Sequence, residues 1–365
     1  MANERKPSQR GSWQNPSVVL ENRRAAQPAP QSIAYVHDSG RRPARFAGLR
    51  RFLAILCAVV ALVSGASGGL AYFAQKNFVE SAGFSTISSN LAHDQDFQQQ
   101  LADAVTNDLM ETQQVKSILG DGNSKNVLNP LDILGSVQDW GYDQVKNMIS
   151  GATSAVISAQ DYPDVWNQMM MDTHDYNLNP DNSVAALDTT AVYQEVDSKV
   201  GTFMGFDPDL VGSNRHVVEL NASNGTSLHD SLMQIKNYAA TWQTQLIVAA
   251  IALVLAFLLW PRGKLIFLGI IALLGGALLW GGSLLASGIS TAAGSLNITN
   301  SVGQVFVQGL ANQYAAALAT FAGSFVIYFL ITAVVLILLG IAVQLAMLSA
   351  KGTTSRSRNT FEHVG

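Results

Sequence analysis

The stretch AFLLWPRGKLIFLG, residues 256–269, places the tetrapeptide Pro-Arg-Gly-Lys between two long apolar runs. Proline cannot donate a backbone hydrogen bond and glycine bends easily, so the tetrapeptide predicts a tight turn at residues 261–264. Its two charged side chains, Arg262 and Lys264, are both positive. A short basic turn between apolar runs is typical of a cytoplasmic hairpin between two membrane helices. The stretch therefore predicts a chain that crosses a membrane.

The composition of the whole chain points the same way. Only 13% of the 365 residues are charged and 48% are hydrophobic, whereas soluble domains carry about 25% charged residues. The deficit lies in four runs without Asp, Glu, Lys, Arg or His, at residues 52–74, 244–260, 265–286 and 324–349. As helices, these runs have about the length needed to cross a hydrocarbon core of about 30 Å. We therefore expect an all-α membrane protein with four transmembrane helices. An ion-coupled pump is not expected, because pumps carry ionisable groups within the membrane and these four runs have none.

The charged residues orient these helices, because basic segments stay on the cytoplasmic side of a membrane. Residues 1–51 contain ten Lys and Arg against three acidic residues, whereas residues 75–243 contain 22 acidic residues against seven basic ones. The basic residues expected to set the orientation are Arg41, Arg42, Arg45, Arg50, Arg51, Arg262 and Lys264. We expect a multi-pass protein of the cytoplasmic membrane, in contact with the lipid bilayer. Residues 1–51 form a predicted disordered basic tail, and residues 350–365 form a second tail. With four crossings, both tails lie on the basic side of the membrane, so both termini are predicted to be cytoplasmic.

The first apolar run has a second interpretation. Ser64-Gly65-Ala66 has the small-residue spacing of a cleavage site, which is typical of a signal peptide. The long preceding tail and the continuation of the run to Phe73 favour an uncleaved anchor instead. Cys57, the only cysteine, lies in the same run. A disulfide within the chain and a cysteine-based metal site are therefore excluded.

Residues 75–243 predict an acidic, mainly α-helical extracytoplasmic domain. Apolar side chains recur every three or four residues in three segments, as expected for helices with one buried face. The segments contain Phe97, Leu101, Val105 and Leu109; Val145, Ile149, Ala152 and Val156; and Val192, Val196, Val200 and Phe203. Asp161 is a candidate N-cap, Gly205 a candidate helix end, and RHVVEL, residues 215–220, a candidate short strand.

The end of this domain predicts a rigid connection to the membrane. The stretch SLHD, residues 227–230, has the spacing of a capping box at a helix start. From there the apolar pattern runs into the second membrane run without a helix breaker. We therefore expect one continuous helix across this boundary.

Residues 287–323 carry no charge and form a predicted extracytoplasmic loop. The loop is either a helix lying at the membrane interface or a re-entrant segment. Its polar side chains, Asn297, Asn300, Asn312 and Gln313, favour the interface, because amides are costly at depth in the bilayer.

The domain shows no predicted catalytic, cofactor or metal site. Its histidines, His93, His174, His216 and His229, lack metal-ligand spacings such as His-Glu-x-x-His, and we expect them to be solvated. The domain also lacks a Gly-x-Ser-x-Gly nucleophile motif and a phosphate loop. These absences predict a protein that is not an enzyme, although a catalytic pair assembled from distant residues stays open.

Small residues on two predicted membrane helices indicate close helix packing. They are Ala61, Gly65 and Gly69 on the first helix, and Gly269, Gly275, Gly276, Gly281 and Gly282 on the third. Packing within one four-helix bundle and contact between copies in a homo-oligomer both explain them.

Four stretches occur in an order that resembles a family of uncharacterised four-helix integral membrane proteins of actinobacteria. They are DFQQQLADAVTNDLM, DVWNQMMMDTHDYN, ALDTTAVYQEVDSKVG and WPRGKLIFLGIIALLGG. Trp166, His174, Leu187, Asp188 and Arg262 match the family pattern, which makes Trp166, His174 and Asp188 candidate residues of the extracytoplasmic domain. The family's Asn-Arg after the Trp helix is replaced here by Gln-Met-Met-Met. The resemblance implies a bacterial cytoplasmic membrane and a cell-envelope context, and it supplies no activity.

From these observations we expect a non-enzymatic membrane protein that presents its domain for binding or scaffolding of another envelope protein or lipid. No cofactor and no nucleic-acid partner are expected. The alternative is a small transporter, pore or lipid-handling protein, and an external hydrolase is a third possibility.

Overall fold

The computed structural model describes residues 47–119, 138–205, 209–211, 216–222, 225 and 227–356. Within these ranges the chain is mostly helical. The helices are α1 (Ala47–Ala74), α2 (Ser81–Ala92), α3 (Gln95–Met110), α4 (Gln113–Leu119), α5 (Gln138–Ile157), α6 (Tyr162–Asn177), α7 (Thr190–Met204), α8 (Leu228–Ala239), α9 (Trp242–Leu259), α10 (Lys264–Ser295) and α11 (Ser301–Arg356). A π-helical turn, Gln75–Val79, follows α1, and the strands are β1 (Ala186–Asp188) and β2 (Val217–Glu219). Most of the predicted N-terminal tail, with Arg41, Arg42 and Arg45, and residues 357–365 lie outside the described ranges.

Four helical stretches are long and apolar enough to cross a membrane: Gly48–Val79, Trp242–Leu259, Lys264–Ser295 and Ser301–Ser349. This agrees with the predicted all-α fold class with four apolar spans. α1 packs antiparallel along α9, and α10 packs antiparallel along α11. The two pairs meet at a small apolar core of Ala54, Ala58, Ala256, Phe267 and Ile271. We call these packed apolar stretches the bundle.

The Pro-Arg-Gly-Lys turn closes one end of the bundle. Gly263 has φ +68°, a left-handed conformation that is strained for other residues. A side chain there would also lie 3.0 Å from Gln344 Nε2. Arg50 and Arg51 lie near the start of α1, which is at the same end because α1 runs antiparallel to α9. Four of the predicted orienting residues therefore share one end of the bundle.

α10 and α11 are longer than the predicted membrane runs. The predicted loop at residues 287–323 is wrong, because α10 continues to Ser295 and α11 begins at Ser301. The stretch is mostly helical and buries one face in protein, where Val302 and Phe306 join the apolar core built from the segment between α1 and α9. The choice between an interfacial and a re-entrant segment stays a prediction. We call α10 and α11 together the hairpin, and residues 296–300 its tip.

The head comprises α2 to α8, both strands and the first turns of α11, around one apolar core. The predicted faces of α3 and α5 are confirmed, because all their residues are buried: Phe97, Leu101, Val105, Leu109, Val145, Ile149, Ala152 and Val156. On α7 the three valines are buried, but Phe203 is exposed. Gly205 ends α7 with φ +73°, as predicted.

The predicted strand at residues 215–220 is confirmed in its centre as β2. It pairs antiparallel with β1, with Leu187 opposite Val218. β1 was not predicted, because three residues are too few for a visible alternation of apolar and polar side chains.

Two predictions about helix ends have different outcomes. Ser227 caps α8, since its Oγ accepts a hydrogen bond from the Asp230 N–H at 3.1 Å. Asp161 makes no side-chain cap on α6.

The expected continuous helix from the head into the second membrane run is wrong. α8 ends at Ala239 and α9 begins at Trp242. At the interruption Thr241 Oγ1 donates to the carbonyl of Tyr238 at 2.7 Å. Such local side-chain bonds compete with the helical pattern.

Candidate functional site

Trp166, the first of the three predicted domain residues, is a core residue. Its ring is fully buried, lies edge-on to Phe97 at a centroid distance of 5.3 Å, and donates Nε1–H to the carbonyl of Ser88 at 2.9 Å. α6 carries Trp166, so these contacts fasten α6 to α2 and α3. The arrangement is structural, because no face of the ring reaches solvent.

His174, the second, lies at the boundary between the head and α1. Its Nε2 is 3.0 Å from the carbonyl of Phe78 in the π-helical turn, and its ring packs on Phe84 at 4.5 Å. Since a carbonyl only accepts, Nε2 carries the hydrogen. Nδ1 lies 3.3 Å from Asp175 Oδ1. His174 therefore ties α6 to the end of the first apolar helix.

The prediction of solvated histidines is wrong for His174 and His229, which are only 5% and 4% exposed. His93 is exposed and His216 is half-buried. Spacing along the chain could not reveal the burial of His174, because its partners Phe78 and Phe84 belong to elements about 90 residues earlier.

Asp188, the third, lines a first cleft of about 570 Å³ with Asp172, Asp175, Tyr176, Asn179 and Asn182. Asp188 Oδ1 accepts hydrogen bonds from the Thr190 N–H at 3.1 Å and the Thr190 hydroxyl at 2.6 Å. These bonds lie at the N-terminus of α7. Asp188 approaches the neighbourhood of His174, because its N–H donates to Thr173 Oγ1 at 3.1 Å, and Asp175 both lines the cleft and contacts the His174 imidazole.

A second cleft, of about 600 Å³, opens beside the hairpin tip. It is formed by the end of α3, by β2 and by the tip, and is lined by Asp108, Glu111, Thr112, His216, Val217, Val218, Glu219, Asn221, Thr299 and Asn300. Three of these side chains are carboxylates. The sequence predictions did not identify this cleft.

Asp108 is the central hydrogen-bond acceptor of the second cleft. Its Oδ2 accepts from the Tyr193 hydroxyl at 2.8 Å, and its Oδ1 accepts from Asn300 Nδ2 at 2.7 Å. Burial raises the pKa of the Tyr193 hydroxyl, helped by the nearby Asp108 charge, so this hydroxyl stays a donor. Asp108 therefore joins α3, α7 and the tip.

Asn300 also caps α11. Its Oδ1 accepts from the N–H groups of Val302 at 2.8 Å and Gly303 at 3.1 Å. An Asn directly before a helix is a recognised start signal. This signal could have revealed the start of α11 in the sequence, but nothing near Asn300 indicates its partner Asp108.

His216 forms the inner wall of the second cleft. Its ring stacks on Tyr193 at a centroid distance of 4.2 Å, and its Nδ1 lies 2.8 Å from Thr189 Oγ1. Burial lowers the pKa of His216, and this outweighs the opposing attraction of Asp108 and Asp188. The imidazole is therefore mainly neutral near pH 7 and does not offset the carboxylates.

Neither cleft has the geometry of a metal site. Among the described residues, no three His, Cys, Asp or Glu side chains are grouped so that they could hold a metal ion.

The predicted packing residues have different surroundings in the bundle. Ala61 is buried, and a Cβ on Gly65 would lie 3.8 Å from Ala249, whereas Gly69 has open space. Cβ atoms on Gly275 and Gly276 would lie 2.9 and 3.3 Å from the Phe329 side chain. These two glycines therefore accommodate one aromatic ring of α11.

The tightest glycine contacts in the bundle are at Gly269, where close packing was predicted, and at Gly340; Gly281 and Gly282 have open space, so close packing was wrongly predicted there. A Cβ on Gly269 would lie 2.6 Å from the Ile337 side chain, and one on Gly340 would lie 2.6 Å from Ile266. Gly340 was not predicted as a packing residue, because it stands alone in an apolar run without a second small residue four positions away.

No protein-family model, curated protein or solved structure matches this chain. The resemblance to the actinobacterial membrane family stays a prediction.

Proposed function

We propose that this chain is a non-enzymatic, multi-pass protein of the bacterial cytoplasmic membrane that holds its head outside the cell to bind another component of the envelope. The observation that carries the proposal is the course of α11. This helix runs without interruption from the bundle into the core of the head, where Val302 and Phe306 are buried. A partner bound to the head is therefore held at a set position relative to the membrane.

The surface of the bundle supports insertion in a bilayer. Large apolar side chains are more than half exposed along its helices, among them Ile247, Leu258 and Leu338. In water such a surface is unfavourable by about 25 cal/mol for each Å². The 18 residues of α9 span about 27 Å, close to the thickness of a hydrocarbon core.

The charges support a head on the outer side. Arg50, Arg51, Arg262 and Lys264 lie at the bundle end away from the head, and basic residues favour the cytoplasmic face. The acidic segment, residues 75–243, contributes most of the head.

Contacts between the head and the bundle support a rigid display. The Tyr238 hydroxyl donates to the carbonyl of Ser67 at 2.7 Å, and the Tyr314 hydroxyl donates to the carbonyl of Asn77 at 2.7 Å. At the same end of the bundle, Tyr72 of α1 packs against Trp242, the first residue of α9, with ring centroids 5.2 Å apart. These contacts compensate for the interruption between α8 and α9.

The second cleft supports binding rather than catalysis. The hydroxyl closest to His216, that of Thr189, is the one candidate nucleophile for this imidazole among the described contacts. Thr189 is only 2% exposed, so a substrate cannot reach it.

The test is mild chemical cross-linking in native membranes, followed by affinity purification and mass spectrometry of both proteins and lipids. We expect a stoichiometric envelope partner whose cross-links map to the head. Recovery of the protein only with itself would overturn the proposal.

A second candidate, a lipid-handling or transport protein, is favoured by one observation. Gly281 and Gly282 of α10 face open space within the apolar region, with no atom within 4 Å of a Cβ built on either. The same purification separates the two functions, since a specific lipid or solute without a protein partner would favour the second.

A further inference from the structure

We propose that the free edge of β2 in the second cleft is the partner site, and that it binds an extended peptide segment with Lys or Arg side chains by strand addition. This inference rests on the proposed binding function and assigns its site and the chemistry of its partner.

The pairing of β1 with β2 leaves one edge of β2 unused. The Thr189 N–H donates to the His216 carbonyl at 3.0 Å, and the Leu220 N–H donates to the Ala185 carbonyl at 2.8 Å. Because bonded pairs alternate along an antiparallel ladder, Val218 bonds with Leu187 in the same way. The N–H and C=O groups of Val217 and Glu219 therefore point away from β1. No described residue makes a hydrogen bond to these four backbone groups.

The unused edge faces the cleft, as the tip demonstrates. The Thr299 N–H donates to the carbonyl of Asn221 at 3.2 Å, and Ile298 forms an antiparallel bridge with Ala222. The tip thus already occupies the same edge two residues further along. The chain then turns into α11 at Ser301, so among the described residues no second strand pairs with this edge of Val217–Glu219.

The charges around this edge select a basic segment. Asp108, Glu111 and Glu219 line the cleft, and none of them forms an ion pair with a described Lys or Arg. His216 contributes no compensating charge near neutral pH, because burial keeps its imidazole mainly neutral. Side chains alternate along an added strand, so every second residue of the segment projects to the same side. Lys or Arg at those positions would complement the carboxylates.

The test uses the full chain in nanodiscs of zwitterionic phosphatidylcholine, which avoids attraction of a basic probe to anionic lipid. The probe is a fluorescent octapeptide of alternating Lys and Val, and binding is measured by anisotropy. A peptide of alternating Glu and Val tests the charge. A Lys-Val peptide N-methylated at its four central residues keeps the charge but cannot donate backbone hydrogen bonds there. We expect the Lys-Val peptide to bind, and both control peptides to bind at least about tenfold more weakly.

Two variants separate the edge from the surrounding charge. V217P removes an N–H that β1 does not use, and proline is tolerated at such an edge position. We expect V217P to abolish binding of the Lys-Val peptide. V217A keeps the N–H and should change affinity by no more than about twofold.

The carboxylates are tested by E111Q/E219Q, which should weaken binding roughly three- to tenfold through the loss of two exposed ion pairs. The matched control D103N/D143N removes two exposed charges of the head outside the cleft and should leave affinity unchanged.

Three results would overturn the assignment of this site: no binding of the Lys-Val peptide to the wild type, equal binding to V217P, or equal binding of the N-methylated peptide. Native-membrane cross-linking then shows whether only this binding site or also the proposed binding function is rejected. A head partner that V217P still captures leaves the proposed function intact and rejects only this site. Absence of any partner for the wild type rejects the proposed function itself.

Discussion

The head and the bundle are stabilised by different kinds of contact. In the head, Trp166 and Asn177 are buried with hydrogen bonds to the backbone: Trp166 donates to Ser88, and Asn177 exchanges two hydrogen bonds with Ala186. In the bundle, close packing depends on glycines that admit large apolar side chains, as Gly269 admits Ile337. The head gains free energy by removing apolar surface from water, whereas helices surrounded by lipid gain it mainly by close approach. Truncating a buried side chain should therefore lower the stability of the head most. Enlarging a packed glycine should lower the stability of the bundle most.

The largest effect is expected for Trp166→Ala in the head. It removes a fully buried ring and leaves the Ser88 carbonyl without its donor, at a cost of about 3–5 kcal/mol in the free energy of unfolding. Chemical unfolding of the full chain, followed by circular dichroism, measures it. Trp280→Ala removes the same side chain at a site that is 60% exposed and should change little. If both variants lost the same free energy of unfolding, burial in the head would not be what makes the Trp166 side chain stabilising.

The bundle should show the opposite sensitivity, and two Gly→Ala variants of α10 test it. Ala normally stabilises a helix by about 1 kcal/mol relative to Gly. At Gly281 the added methyl meets open space, so we expect stabilisation. At Gly269 it meets Ile337 and lies 3.0 Å from the Ala333 carbonyl, so we expect destabilisation of about 1–3 kcal/mol.

Unfolding of the two glycine variants in mixed detergent micelles gives both free energies under the same conditions. A gain at both positions would mean that α10 and α11 are not closely packed at Gly269.

A smaller loss is expected when the contact between the head and the tip is weakened. Asp108→Asn replaces one of two carboxylate oxygens by an amide that cannot accept from its present donor, Tyr193 or Asn300. We expect a loss of about 1–3 kcal/mol. Proteolysis near the tip, measured by mass spectrometry, should increase more than elsewhere in the head. Asp103→Asn, on the exposed side of the same helix, is the matched control.

The smallest effect is a pH dependence of the head. Burial lowers the pKa of folded His216 below its ordinary value of 6.5, so the unfolded chain binds this proton more readily. Stability from this group is complete above about pH 6.5 and decreases as the pH falls through the lowered pKa. Thermal unfolding between pH 7.5 and 5.5 should therefore depend less on pH in His216→Asn than in the wild type.

Local patterns predicted the parts of the fold in which neighbours along the chain decide the outcome. The apolar runs, the buried face of α3, the strand around Val218 and the cap at Ser227 all depend on residues within a few positions of each other. A helix was one expectation for residues 287–323, but its continuity with the fourth apolar span and its entry into the head were not expected. Gly309 lies against Phe97 and Leu91, which are about 210 residues earlier, so no local pattern reveals this contact.

The candidate sites were less predictable than the fold. Trp166, His174 and Asp188 were singled out by resemblance, and each lies in the head, but they do not form one site. The second cleft was missed because Asp108 and Asn300, which are hydrogen-bonded there, are 192 residues apart in the chain, with His216 between them. No spacing rule connects such positions.

Four apolar spans, the basic turn at residues 261–264 and the acidic character of the segment between the first two spans follow from the amino-acid sequence alone. Hydropathy and charge are sums over local residues, so they need no knowledge of the fold. The folded chain was needed to reveal that the hairpin enters the head, that His174 contacts the end of α1, and that no described residue pairs with the second edge of β2, beside three carboxylates. Each of these depends on which distant backbone groups are already paired.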